Sequence, residues 1–185
     1  MKIAVCCASS TAVSPENLTL GFDLGTAIAK SGHELVWGGG AISVMGEVAK
    51  GARAQGGRTI GVIPERLMNV EFIDHDSSEL HVVSDMRERK GLIEKFSDSF
   101  IALPGGIGTL EEFFEIWVGR YLGFHNKPIA VLDPENVYQT LRLALDDLTA
   151  KNFMKPGQHE LVSWCSNVDE ALVHVTQSSG NIRSQ

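Results

Sequence analysis

Five short apolar runs most constrain what this chain can become: residues 2–7 (KIAVCC), 34–37 (ELVW), 59–63 (TIGVI), 99–103 (SFIAL) and 128–132 (PIAVL). Each is too short for a helix, carries β-branched residues, and alternates little between apolar and polar, which is the pattern of strands buried on both faces. The stretches between them carry helical periodicity and helix-end residues. Pro15 behind Ser14 suits the first turn of a helix capped by Ser14, and Gly32 suits its C-terminal stop. Further helices are expected over about 44–55, ending at Gly56 and Gly57, over about 84–95, from near Thr109, and over about 136–151. Strands alternating with helices imply βαβ units with right-handed crossovers. The expected fold class is α/β, a Rossmann-like doubly wound parallel sheet flanked by helices.

A chain of 185 residues, 43% of them hydrophobic, suffices for one core, and no repeat or Pro/Gly/Ser-rich linker divides it. A single nucleotide-binding catalytic domain over residues 1–175 is expected, with 176–185 (TQSSGNIRSQ) a disordered tail because it is polar. The formal net charge of -7 argues against a nucleic-acid or membrane surface as partner, while leaving room for a small anion held by backbone amides and local cations. Cys6, Cys7 and Cys165 are odd in number and lack zinc-site spacing, so they read as buried reduced thiols. The six histidines show no H-x-x-x-H or comparable spacing, and no metal is expected. The opening MKIAVCCASST is too brief for a signal h-region or a membrane span, which makes a cytoplasmic protein the expectation.

In an open α/β sheet, ligands bind beyond the carboxyl ends of the strands, where loops lead into helix N-termini. Two glycine clusters occupy such places: WGGGAISVMG after Trp37, with Gly39 and Gly40, and PGGIGTLEE after Leu103. Glycine lets an anion approach the backbone, and the N–H groups and dipole of the following helix attract phosphate. Either cluster alone is equally well explained as a tight strand-to-helix turn; two in one sheet favour a site. Thr109 adds a hydroxyl and a cap for the helix, while Ser9 and Ser10 offer ligand hydrogen bonds or plain turn formation. Neither G-x-G-x-x-G after the first strand nor G-x-x-x-x-G-K-[ST] is present, which removes support for a dehydrogenase or an ATPase.

Glu111, Glu112 and Glu115 stand in the first turns of the helix behind the second glycine cluster. Acids there complement the helix dipole, but they repel an anion held by the same loop. A carboxylate directed at the non-phosphate part of a ligand resolves the conflict: it grips ribose hydroxyls, positions water or stabilises positive charge. Arg87, Arg89 and Lys90 in SDMRERKGLIEKF cannot all point one way on a helix, and most such charges are solvated. A guanidinium among them offers bidentate bonds to phosphate or carboxylate. Trp37, Trp117, Trp164, Met45 and Met86 read as core, with Trp117 also able to line a pocket.

The pattern P-G-G-x-G-T-x-x-E from Pro104 to Glu112, with an upstream M-x-x-R-K from Met86 to Lys90, resembles the LONELY GUY proteins. These are cytokinin-activating nucleoside 5'-monophosphate phosphoribohydrolases that are often mislabelled as lysine decarboxylases. The resemblance extends to GGGAISVMG, GGRTIGVIP and GFHNKPIAVLD, and so over nearly the whole chain. It implies hydrolysis of the N-glycosidic bond of adenine-type, including N6-substituted, adenosine 5'-monophosphates, giving free base and ribose 5-phosphate. It implies Arg89 and Glu112 as the catalytic pair, with Glu71, Lys90 and the stretch Gly106, Ile107, Gly108, Thr109, Leu110, Glu111 and Glu112 contacting substrate. A homodimer without metal or organic cofactor is also implied. Met86, Trp117 or a partner subunit would supply an apolar pocket for an N6 group. One departure stands out: Ser43 occupies a position where many relatives carry glycine, so a positive φ there would cost on the order of 1 kcal/mol. A related loop serves molybdenum-cofactor carriers, which makes a non-catalytic nucleotide or cofactor carrier the alternative.

Overall fold

The computed structural model describes residues 1–177. Its frame is a seven-stranded sheet of β1 (Lys2–Cys6), β2 (Glu34–Trp37), β3 (Thr59–Pro64), β4 (Glu79–Val83), β5 (Ser99–Ala102), β6 (Ile129–Leu132) and β7 (Ser163–Cys165). All neighbours pair in parallel, in the order β4-β3-β2-β1-β5-β6-β7. The helices are α1 (Pro15–Lys30), α2 (Ser43–Ala54), α3 (Met86–Phe96), α4 (Ile107–Tyr121), α5 (Gln139–Ala150) and α6 (Val168–Gln177). The Rossmann-like doubly wound sheet expected from the alternating runs is the fold observed.

Side chains alternate across the sheet with period two and find apolar cover on both sides. Ile3, Val5, Leu35 and Trp37 pack with Leu24, Ile28, Val48 and Leu172 from α1, α2 and α6. Ala4, Val36, Phe100 and Val131 pack on the other face with Ile93, Phe113, Ile116 and Leu145 from α3, α4 and α5. This two-sided burial is why the central strands read as continuous apolar runs. The edges differ: β4 and β7 were not expected, because β4 leaves Val82 52% exposed and mixes Glu79 and His81 into its run, and β7 is only 3 residues long.

Helix boundaries depart from the sequence expectations by their caps. Ser14 accepts from Asn17 N at the start of α1, as its spacing predicts. α3, expected from about residue 84, begins at Met86 behind the cap Asp85, whose carboxylate accepts from Arg87 N at 2.8 Å and Glu88 N at 2.9 Å. α5 begins three residues late, since Asn136 takes a positive φ of 57° and the Asp133 carboxylate binds the N–H groups of Val137 and Tyr138. α6 is a further element that the polarity of the last residues concealed. It carries Thr176 and Gln177 into regular helix, so the tail expected from Thr176 is corrected at those two positions, and the rest of it lies outside the described residues. Among the described residues, no helix is long and apolar enough to cross a membrane.

α1 and α2 approach closely through glycines. A Cβ on Gly25 would lie 2.0 Å from the Val48 carbonyl oxygen, and one on Gly51 would lie 2.1 Å from that of Phe22. These contacts are to backbone, which cannot rotate aside, so the helices would have to separate. Gly25→Ala is expected to cost about 2–3 kcal/mol, the range of core overpacking. A lowered urea midpoint checks it; an unchanged one would mean that the two helices tolerate separation.

Candidate active site

β1 lies where the strand order reverses, with β2 on one side and β5 on the other. The loops leaving the carboxyl ends of neighbouring strands diverge at such a point and open a crevice. Here the crevice is a cavity of about 330 Å³, walled by residues 5–10 at the end of β1 and in the loop behind it, by Gly38 behind β2, by Glu71, and by the start of α4. Residues far apart in the chain meet there only because the sheet places its strand ends side by side.

One half of the cavity is the N-terminus of α4. Its cap is Gly106, with no side-chain cap bond, and Gly106, Ile107, Gly108 and Thr109 line the cavity. The first N–H groups of a helix have no intrahelical acceptor, so this end presents donors and positive potential to the cavity. Thr109, expected near the start of the helix, is its third residue and is buried. Its hydroxyl fills the space beside Gly105, where a Cβ would lie 2.2 Å from Thr109 Oγ1. The preceding corner is pinned by Tyr138, whose hydroxyl accepts from Gly105 N at 2.7 Å and lies 3.0 Å from the Gly105 carbonyl oxygen.

The charged half comes from α3 and the β3–β4 connection. Arg89 is 4% exposed and donates from Nη2 to the Gly38 carbonyl at 2.9 Å and to Glu71 Oε2 at 2.9 Å. Its Nη1 lies 3.4 Å from Glu71 Oε1, while its buried Nε has no hydrogen-bond partner. Gly38 is required by close approach, since a Cβ there would stand 1.9 Å from Arg89 Nη2. Glu112, one turn into α4, faces the same cavity. Its removal from water pushes the carboxyl above the ordinary value of 4.5, and the Arg89 guanidinium and a hydrogen bond from the Cys6 thiol pull it only part of the way back. Burial, and then the Glu112 charge, in turn push the thiols of Cys6 and Cys7 upward, so both stay protonated.

Of the residues singled out in the sequence, Glu71, Met86, Arg89, Gly106, Ile107, Gly108, Thr109 and Glu112 line the cavity. Lys90, Leu110, Glu111, Gly39 and Gly40 do not. Helical geometry turns Lys90 away from Arg89, and its ammonium pairs with Glu111 and with Glu115 at 2.5 Å, bridging α3 to α4. Leu110 packs on the core. Gly39 makes the turn, with φ 75°, and Gly40 lies against Glu71. Trp117 stands on another face, donating to the Gln158 carbonyl and stacking on Phe114. Cys6, Cys7, Met45 and Leu67 line the cavity without having been singled out for it, since only their placement at strand and helix ends brings them there. Ser43 does take a positive φ, 55°, and its hydroxyl donates to the Ser10 carbonyl at 2.5 Å. That bond ties the first glycine loop to the loop behind β1 and offsets strain of about 1 kcal/mol. Away from the cavity, Cys165, Glu170 and His174 place ligand-type atoms within 4.8 Å of one another, a grouping that the histidine spacing did not suggest.

A family described as "Possible lysine decarboxylase" matches residues 45–175. A Mycobacterium tuberculosis protein named cytokinin riboside 5'-monophosphate phosphoribohydrolase is 47% identical over 170 residues, spanning 92% of this chain and 90% of its own. The chain belongs to the LONELY GUY family. Another member so named, from Rhodococcoides fascians, is 40% identical over 153 residues, 82% of this chain and 77% of the relative. Among solved structures, the molybdenum cofactor carrier protein of Chlamydomonas reinhardtii superposes with a TM-score of 0.73 at 25% identity, covering 97% of this chain and 98% of that one. The molybdenum cofactor binding protein of Rippkaea orientalis shares the fold at a TM-score of 0.71 and 24% identity, over 96% of each chain. The description as a decarboxylase implies pyridoxal phosphate, which needs a lysine for its Schiff base. The residues of this LONELY GUY site do not fit that group: the cavity wall holds no lysine, Lys90 is engaged by two glutamates, and Lys127 donates to the Glu94 carbonyl.

The raised Glu112 carboxyl has a consequence for stability. Between the unfolded value and the higher folded value, the folded chain holds the proton and the unfolded chain has lost it, so stability falls as pH rises through that window. Glu112→Gln carries no charge at any pH and escapes this loss. Its melting temperature relative to wild type is expected to rise as pH climbs from the ordinary carboxyl value of 4.5 through the higher folded value. A difference constant across that range would contradict the shift.

Proposed function

We propose that this chain hydrolyses the N-glycosidic bond of adenine-type nucleoside 5'-monophosphates, N6-substituted ones included, to free base and ribose 5-phosphate. The observation that carries the reading is the juxtaposition of an uncapped helix N-terminus with a half-buried Glu112 and a buried Arg89 in one cavity. The N–H groups at the start of α4 and the Thr109 hydroxyl hold the 5'-phosphate, and so fix the sugar. Cleavage breaks the bond from C1' to the base nitrogen, and positive charge develops on the ribose ring as in other glycoside hydrolyses. Glu112 as carboxylate stabilises that charge and takes a proton from the attacking water, whose oxygen bonds to C1'. The departing base takes up a proton as it leaves. Arg89, locked by Glu71 and the Gly38 carbonyl, keeps its charge beside Glu112 and supports the leaving base. Met45, Leu67 and Met86 supply the apolar wall for an N6 substituent.

Chromatographic detection of free base from AMP and from N6-isopentenyl-AMP tests the reaction. Wild type is expected to release base, and Glu112→Ala and Arg89→Ala to lose on the order of 10² to 10⁴ in kcat, as for removal of an acid–base group. Binding without cleavage by wild type would instead favour a carrier. Because Glu112 acts as carboxylate and burial raises its pKa, the acidic limb of kcat against pH is expected above the ordinary 4.5 and absent from the residual rate of Glu112→Gln.

The reading includes a homodimer in the cytoplasm. The three cysteines are free and buried, as in a reducing compartment. A second, apolar cavity of about 390 Å³ between α4 and α5 includes Val118, Tyr121 and Leu148, which are 50%, 39% and 40% exposed. Covering such a patch with a second copy removes it from water. Light scattering is expected to give twice the chain mass for wild type and a smaller mass for Val118→Glu with Leu148→Glu; a dimer surviving in that variant would place the interface elsewhere.

A further inference from the structure

Glu71 reaches Arg89 from a stretch that no long element holds in place. Between β3 and β4 the chain has one 3-10 turn, Glu65–Leu67, and an isolated antiparallel bridge between Gly40 and Ile73. Phe72 within it takes a φ of 49°, a conformation that costs a non-glycine residue about 1 kcal/mol or more and persists only where the surroundings over-determine it.

The surroundings that do so converge on Asp74. Ala41 N donates to the Phe72 carbonyl at 2.6 Å and lies 3.2 Å from that of Glu71, while Asp74 N donates to the Gly39 carbonyl at 2.9 Å. The Asp74 side chain is 4% exposed. Its Oδ2 accepts from Arg53 Nη1, in the last turn of α2, at 2.6 Å, and its Oδ1 from Asp76 N at 3.0 Å. Only Asp74 is buried, Arg53 being half-buried, but taking that carboxylate out of water costs desolvation that an apolar residue would avoid, so the pair is a poor device for stability alone. It is a good device for holding one register.

We propose that the Arg53–Asp74 pair is a positioning strap. It fastens residues 71–74 against the first glycine loop, so that the Glu71 carboxylate stays on the Arg89 guanidinium and Arg89 stays aimed past Gly38 into the cavity. Asp74 and Arg53 are therefore positioning residues, acting through Glu71. The role rests on the reading that Arg89 takes part in base release.

Asp74→Asn and Arg53→Met are expected to lower kcat for AMP by about 10- to 100-fold, the scale of a small misplacement of reacting groups. Arg53→Lys, which keeps the charge, is expected to recover most of the loss. In a Glu71→Gln background, Asp74→Asn is expected to change kcat by less than about twofold, because the group it positions is already disabled. A full additional loss in that background would overturn the strap, marking the pair as a general structural contact. Amide hydrogen exchange gives an arm free of activity. Residues 71–74 are expected to exchange faster in Asp74→Asn while β1 and β5 stay protected. Unchanged exchange at 71–74 would overturn the strap, as would faster exchange with wild-type kcat. If wild type releases no base at all, it is the proposed reaction that fails; the strap is then decided by the exchange arm and by AMP affinity, which Asp74→Asn is expected to weaken.

Discussion

A buried guanidinium and a half-buried carboxylate sharing one cavity at the carboxyl edge of the sheet are the constraint on which the rest of this structure turns. Arg89 could not be buried alone without a large penalty, and Glu112 beside it is withdrawn from much of its water. The penalty is contained by giving Arg89 the Gly38 carbonyl and both oxygens of Glu71, and by giving Glu112 the Arg89 charge and the Cys6 thiol. These partners dictate much of the local architecture. Gly38 has no room for a side chain, the β3–β4 connection folds back to deliver Glu71, and the second turn of α4 carries Glu112 toward the cavity.

The phosphate-attracting end of α4 and this charged pair oppose each other electrostatically as far as an anion is concerned. The arrangement makes sense when one ligand carries both a phosphate and a ring that becomes cationic. In the proposed reaction the helix end takes the first and Glu112 the second, and the spacing between them is set by less than two turns of α4. A ligand with only one of these parts would leave the other half of the cavity working against it. This complementarity is why a phosphoribosyl substrate explains the site better than a carried anion, although solved carriers share the fold.

Much of this was legible in the chain because the signals are local. The central strands announce themselves as apolar runs through two-sided burial, and Ser14, Gly32 and the two glycine clusters mark turns and caps by their own backbone chemistry. The edge elements were not legible. β4 and β7 have only one strand neighbour each, so their residues meet less burial and carry mixed polarity, and α6 looks polar because only one stripe of it, Ala171, Leu172 and Val175, is buried. Lys90 shows the limit of a motif: it adjoins Arg89 in sequence, yet the helical turn sends it to Glu111 and Glu115 instead of the cavity.

The sequence by itself determined the alternation of strand and helix, the parallel sheet, the two glycine turns, and the identity of the charged residues available to a site. Those follow from backbone preferences and apolar periodicity, which act over a few residues. Only the tertiary structure decided that β1 is central, that Cys6, Gly38, Glu71, Arg89 and Glu112 share one cavity, and that Glu112 is desolvated enough to hold its proton above the ordinary range. Strand order and the exclusion of water are set by contacts between segments distant along the chain, and no local pattern encodes them.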